Sequence, residues 1–485
     1  MSNCIAHPEN RDFPRYDFTY PEQIESEHFI VHFTTSNVDS QFVNNQWLNL
    51  QCNFGYAQSV IDLAEYALAI FMAADWEMMP PDCDESITDE ASPNHCNNFG
   101  GDALYDIYLA NDAVGLVVPE NPYPVEPYTG GYTSFMQVTP LGNEHTFVPV
   151  WSEHVIAHEL HHAIQVRYGT SVSGEPGNYA FNGWLYEQTS TYMEAVIFPG
   201  NYHFLVMMGN CNITSPLTFP EISIDSSVDI YQYRSALWQK FLVEAYGDSS
   251  VNRLIWEGFG LETSTGNPVD MFPIYESAVQ AVTNGEISLS DAYEEYAVWR
   301  YFTGSRSRPG EYFMQAASYC KADLIEVDGA PSTLPTEKGG ARLVKLFPYE
   351  NSLLLSANVY ESLLLQHISF GEDDEVLMSP IEVNGGEFYF QVNNPNEGNH
   401  ALLLTTKYTG EPSLEIEFTL SATVPFMEGD ITGDSMVNVQ DVIVQINIIL
   451  HQIDPTEYQW LAADLDGNNV IDVLDVILLV NLILA

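Results

Sequence analysis

The segment His158-Glu159-Leu160-His161-His162 sets two imidazoles four residues apart, with a glutamate beside the first. On a helix, residues four apart share a face, so His158 and His162 can offer nitrogens to one cation while Glu159 stands next to it. This is the arrangement of a zinc hydrolase. A catalytic zinc takes three protein ligands, keeps a fourth position for water and lowers that water's pKa toward neutrality. A nearby carboxylate then takes the proton as the water attacks a carbonyl, and Glu159 is placed to be that base. His154 also lies one turn before His158, but Val155 stands where that pair would need its base. His154 and His161 are therefore read as bystanders.

Such a motif needs a buried helix at the floor of a cleft. Ser152 is a good N-cap after the extended run Phe147 to Trp151, and Val155, Ile156, Leu160, Ile164 and Val166 give residues 152–168 apolar surface to bury. A second helix is predicted over residues 182–195. Trp184, Leu185, Gln188, Tyr192 and Ala195 fall near one stripe of it, and Glu187 and Glu194 lie two turns apart on another. Glu187, 25 residues beyond His162, is the expected third zinc ligand. Residues 130–138 alternate as an edge strand would, and such an edge can hold an extended peptide by adding it as a strand. Tyr231 and Tyr233, just before the apolar helix Ala236 to Tyr246, are the candidate donors to an oxyanion.

These residues resemble a known family. The histidine motif followed by Ala163-Ile164-Gln165, then Trp184-Leu185-Tyr186-Glu187 with Glu194 seven further on, is similar to the gluzincin metallopeptidases, and especially to a group of secreted bacterial members. The likeness extends through Phe29 to Phe33, the acidic loop between two cysteines and Asp106 to Leu109, covering roughly residues 25 to 260. It implies that His158, His162 and Glu187 bind zinc and that Glu159 is the base. Gln188 departs from the small residue that usually follows the glutamate, and Thr191 stands where thermolysin-like relatives carry an aspartate behind a histidine ligand. Glu194 or Thr191 is then left to accept the other imidazole proton.

The C-terminus repeats itself. Asp441-Val442-Ile443 and Asn447 to Leu450 return 34 residues later as Asp475-Val476-Ile477 and Asn481 to Leu484. Each copy follows an acidic loop. Asp430, Thr432, Asp434, Asn438 and Asp441 fall at positions 1, 3, 5, 9 and 12 of the first, and Asp464, Asp466, Asn468, Asp472 and Asp475 at those of the second. With backbone carbonyls from Met436 and Val470 at position 7, each loop supplies the oxygen cage of a calcium ion. Position 12 is Asp, and the first loop leaves no room for an entering helix. Loop plus exiting helix, twice, resembles the type I dockerin module, which binds cohesin domains and so attaches enzymes to scaffolds. Thr432 at position 3, and Ser435 and Asn469 where glycine usually stands, depart from that pattern. The resemblance implies that Val439/Gln440 and Val473/Leu474 help to choose the partner.

Fourteen basic against 67 acidic residues give a formal charge of −53, which repels nucleic acid and anionic membranes. The longest apolar run, Val476 to Val480, is too short to span a bilayer. Six cysteines permit 15 pairings, of which Cys83–Cys96, around an acidic proline-containing loop, is favoured. Residues 1–8 show no signal peptide, read as a missing or misplaced start, because a dockerin belongs outside the cytoplasm.

The expected fold is multidomain α+β. Residues 1–329 form a thermolysin-like zincin catalytic domain with a mixed-sheet N-lobe and a helical C-lobe. Asp328 to Pro335 read as a linker, residues 330–424 as a small β-sandwich, and residues 425–485 as an all-α calcium-binding dockerin. The expected function is that of a secreted or cell-surface zinc endopeptidase acting on a protein or peptide and carried on a cohesin-type scaffold. A catalytically inactive adhesion or assembly protein is the alternative; retention of Glu159 with all three ligands argues against it.

Overall fold

In the computed structural model the residues with a 2.0 period form strands and those with a 3.6 period form helices, much where the pattern requires. The structure describes residues 15–484 apart from short internal segments, among them 44–45, 91–94, 111–114, 141–150, 174–179, 328–331, 347–352, 382–386, 393–400 and 408–415. Cys4, Asn182, Ser435 and the run Phe147 to Val150 thus lie outside the described residues. The chain divides into two compact units, the first holding residues up to Asp323 with Glu337–Ala341 and Lys407–Leu414, the second holding the remainder.

The first unit begins with β1 (Glu22–Glu25), β2 (Phe29–Phe33) and a hairpin of β3 (Ser40–Val43) and β4 (Gln46–Asn49). Helix α1 (Phe54–Ala73) follows; Asn53 caps it by accepting the Tyr56 N–H at 2.9 Å. Ala57, Val60, Ile61, Ala64, Ala67, Leu68 and Phe71 form its buried stripe. Then come β5 (Tyr105–Leu109), β6 (Gly115–Pro122) and β7 (Tyr132–Val138). The sheet order is β1-β2-β5-β7-β6, with β2, β5 and β7 parallel and β6 antiparallel at the end. Residues 130–138 are therefore not the edge strand that their alternation predicts. Tyr132–Val138 sits between two neighbours and is buried almost throughout, and the edge is β6.

The long helix α2 (Trp151–Tyr168) packs against β6, β7 and α1, and its residues from His154 to Tyr168 are all buried. The short pair β8 (Val172–Ser173) and β9 (Ala180–Phe181) leads into α3 (Gly183–Ile197), which lies against α2. Helices α4 (His203–Gly209), α5 (Tyr231–Arg234), α6 (Ala236–Tyr246), α7 (Ser250–Thr263), α8 (Met271–Val282) and α9 (Leu289–Tyr301) complete the unit. Trp238, Phe241, Tyr275, Tyr293 and Tyr296 form their aromatic centre, with Trp238 within 6.1 Å of each of the other rings. Disulfides join Cys83 to Cys96, as expected, and Cys211 to Cys320. Cys52 is a buried free thiol.

The second unit holds β10 (Ile325–Val327), β11 (Ser332–Thr336), β12 (Ala341–Leu346), β13 (Leu353–Asn358), β14 (Leu363–Phe370), β15 (Val376–Ile381), β16 (Glu387–Val392), β17 (Ala401–Thr406) and β18 (Ile416–Thr423). They form two sheets, ordered β10-β12-β17-β14-β15 and β11-β18-β13-β16. The expected linker is corrected here: its residues Ser332 to Pro335 are ladder members, paired with Leu420 to Glu417. Strand β11 is an edge, where Pro335 removes no hydrogen bond that the sheet needs. Three helices close the chain, α10 (Val439–Ile449), α11 (Glu457–Ala463) and α12 (Val473–Leu484), around a small core of Ile431, Ile448, Ala462, Ala463 and Leu479. No helix among the described residues is long and apolar enough to cross a membrane.

Candidate metal centre

Helices α2 and α3 bring the three predicted ligands together. His158 Nε2 lies 3.0 Å from Glu187 Oε2, and His162 Nε2 lies 3.4 Å from the same oxygen. One ligand atom from each of the three falls within 4.8 Å of the others, and all three residues are buried. Donors about 2.0–2.1 Å from one tetrahedral zinc sit roughly 3.3 Å apart, so the two measured separations fit a single ion. The donor chemistry fits as well, two imidazoles and a carboxylate being a common catalytic zinc set.

What holds each ligand also decides which atom it presents. The Nδ1 of His158 lies 2.7 Å from Glu194 Oε1, so Glu194, and not Thr191, supports that ring. The Nδ1 of His162 lies 2.6 Å from Gln165 Oε1 and 3.2 Å from Ser190 Oγ. Gln165 is oriented in turn by its amide nitrogen, which donates to Thr189 Oγ1 at 2.8 Å and to the Tyr186 carbonyl at 3.1 Å. Both histidines thus turn Nε2 toward Glu187. Burial lowers the pKa of His162 and outweighs the pull of Glu187 upward, which keeps its ring neutral and able to ligate. Burial alone would raise the Glu187 carboxyl, but the imidazoles of His162 and His158 outweigh it and bring it down to about 2.

Glu159, fully buried, lies against Gly115 of β6. A Cβ built on Gly115 would meet its side chain at 2.3 to 2.6 Å, so only glycine leaves room for the carboxylate there. Of the two tyrosines, Tyr233 on α5 stacks near His158, ring centroids 5.9 Å apart. Tyr231 is a core residue whose hydroxyl donates to the Ile222 carbonyl at 3.3 Å, and the geometry assigns it no place at the site. Three residues ahead of Tyr233, Ile230 takes φ 59°, a left-handed conformation that a β-branched side chain rarely adopts. His161 is packed flat on Phe71 at 5.3 Å, a structural residue as expected. Gln188 is also explained: its amide nitrogen donates to Ile224 O and Ser235 Oγ, and its oxygen accepts from Tyr275 and Gln239.

Sequence reasoning missed Gly115 and His203. The Nδ1 of His203, on α4, lies 2.5 Å from Glu194 Oε2. A lone histidine nine residues after Glu194 carries no spacing signal, and Gly115 is recognisable only from the side chain it faces.

In the second unit each acidic loop folds around its last carboxylate. Asp441 is fully buried and accepts from the Thr432 and Asn438 amides at 2.8 Å each, while Asn438 caps α10. Asp475, also fully buried, accepts from Leu465, Asp466 and Asp472 amides at 2.9 to 3.2 Å. Asp464, Asp466 and Asp475 gather as a group able to hold a cation, and Thr432 stands in the first loop where Asp466 stands in the second. Asn469 has φ 63°, the turn conformation for which glycine is the usual residue and which asparagine tolerates. Asp430, Asp434, Met436, Asn468, Val470 and Asp472 occupy the remaining loop positions, with Met436 and Val470 side chains exposed.

A duplicated loop-and-helix module with these features defines the class of a calcium-loop docking domain. Residues 428–484 match the family model of the dockerin type I domain, and this segment is a type I dockerin. Dockerins bind calcium and attach to cohesin domains of scaffolds, as extracellular components of cellulosome-like assemblies. No curated protein matches the chain. Solved structures that it resembles include those of the Gx and Gt strains of infectious bursal disease virus, at 14% and 15% identity and TM-scores of 0.14 and 0.15. The likeness covers 19% and 21% of this chain and 28% and 33% of those chains, and at such scores it says nothing about fold.

Proposed function

We propose that the first unit is a thermolysin-like, zinc-dependent endopeptidase, secreted and carried on a scaffold by its dockerin, which takes two calcium ions. The observation that carries the reading is the buried set of His158, His162 and Glu187 with Glu159 on the next position of the same helix, against the end strand of a sheet. When bound, zinc would supply Lewis acidity, activating water and polarising a peptide carbonyl. His158, His162 and Glu187 would hold it. Glu159 takes the proton from the attacking water and returns it to the leaving amine. Tyr233, ranged beside His158, donates to the developing oxyanion. Strand β6 has one ladder with β7 and no second among the described strands, so an extended peptide can pair with its outer side and pass in front of Glu159. Burial of α2 from His154 to Tyr168 keeps these groups away from water, which strengthens each of their interactions.

The test is zinc content of the full chain by elemental analysis, with casein hydrolysis measured with and without a zinc chelator. About one zinc per chain and chelator-sensitive cleavage support the peptidase. A Glu159→Gln variant then keeps its zinc while turnover falls by several orders of magnitude. Zinc without cleavage of any protein offered moves the weight to an assembly protein that uses the same domain for binding.

A further inference from the structure

Glu194 divides its two oxygens between two histidines. Oε1 meets His158 Nδ1 at 2.7 Å and Oε2 meets His203 Nδ1 at 2.5 Å. The carboxylate itself is buried, at 2% exposure, so neither oxygen has water as a ready substitute for a lost partner. Resting on the zinc reading above, we propose that His203 is a positioning residue of the metal centre: by anchoring Glu194 it sets the angle at which His158 presents Nε2.

Three observations converge on this. The first is the chain of short contacts, in which His203, Glu194, His158 and Glu187 each touch the next within 3.0 Å. A carboxylate held at one oxygen only can rotate about its terminal bond; held at both, it is fixed in plane and carries the imidazole with it. The second is the packing of the His203 ring, which stacks on the buried His154 with centroids 4.3 Å apart and planes at 24°. His154, a bystander to the metal, therefore has a place: it is the platform that keeps His203 facing Glu194. The third is how α4 is held. A helix of seven residues has little stability of its own. This one is anchored by buried Phe204 and Met208, by the Cys320 N–H donating to the Met208 carbonyl at 2.7 Å, and by the Cys211–Cys320 disulfide just past its end. So much anchoring on a short helix outside the ligand pair is accounted for if its first residue must not move.

The experiment uses the full chain and zinc alone as the probe. Zinc affinity is measured by competition with a chromogenic chelator at one fixed pH for the parent, His203→Ala and His203→Asn, with the melting temperature of the zinc-free proteins taken alongside. Asparagine can place its amide N–H near the position of Nδ1. Removal of a hydrogen-bonded partner behind a ligand typically weakens a metal site 10- to 100-fold, so His203→Ala is expected to bind zinc about tenfold more weakly and His203→Asn to recover most of the loss. The zinc-free melting temperatures should agree within about 4 °C, roughly the effect of 1 kcal/mol or so in a unit of this size. Parent-like zinc affinity in His203→Ala overturns the proposal, as does an equal loss in both variants with a lowered zinc-free melting temperature, the mark of a merely structural residue. A parent chain that binds no zinc overturns instead the metallopeptidase reading on which the proposal rests.

Discussion

Gly115→Ala separates the role of Glu159 from that of the ligands. The added methyl group would lie 2.3 Å from Glu159 Cγ, 2.5 Å from Oε1 and 2.6 Å from Cδ, and these are the three atoms nearest to it. Non-bonded carbons rest at about 3.5 Å, so one side must yield by about 1 Å. Gly115 is held in a ladder with Val138, whereas Glu159 is a side chain with rotatable bonds; the carboxylate moves. A reacting group misplaced by about 1 Å costs on the order of 100-fold in rate, or roughly 2.7 kcal/mol in the barrier. The expected result is therefore a kcat/KM on casein about 100-fold below the parent's, with one zinc still bound and circular dichroism unchanged. If Gly115→Ala cleaves casein at the parent's rate with the parent's zinc content, the placement of Glu159 as the base is wrong.

Three further outcomes test other parts of the chain. Arg15 is bonded to Asp82, Asp106 and Glu120 with only 15% of its side chain exposed, and burial pushes the Asp82 carboxyl up while Arg15 opposes it; Arg15→Ala should cost about 3–5 kcal/mol and lower the melting temperature by roughly 10 °C in calorimetry, and an unchanged transition would refute the cluster's importance. Burial raises the Cys52 thiol to about 11, so iodoacetamide at pH 8 should modify it only on unfolding, as read by peptide mass; because the folded value is the higher one, this contribution to stability is full below about pH 9 and is lost as the pH climbs toward 11. Asp475→Ala strands three loop amides and removes a carboxylate from the second loop, so titration calorimetry should show calcium stoichiometry falling from two to one; two ions bound with parent affinity would contradict the assigned cage.

The parts of this chain that announce themselves are those whose pattern is set by local rules. Helix α1 runs between Asn53 and Ala74, as its cap and apolar stripe require, and α6 keeps its expected ends, Ala236 and Tyr246. The gathering of His158, His162 and Glu187 was legible because helical geometry ties spacing to facing. Strand β6 was not: Gly115-Leu116-Val117-Val118-Pro119-Glu120-Asn121-Pro122 ends like a loop, yet an edge strand needs only one side of its backbone, so Pro119 and Pro122 are tolerated. The linker-like composition of residues 332–335 misled for the same reason. The pairing of Cys211 with Cys320, and the reach of His203 to Glu194, depend on how helices far apart in sequence pack, which no local rule encodes.

The bridge from Cys211 to Cys320 closes across 109 residues, a stretch that contains α5 through α9. Such a link forms in oxidising surroundings and stays open in the reducing cytosol. On the proposed reading, the helix that carries His203 is therefore fastened only after export, and the cage around the metal is completed there. The oxidising surroundings that close this bridge are also those in which a dockerin meets its scaffold.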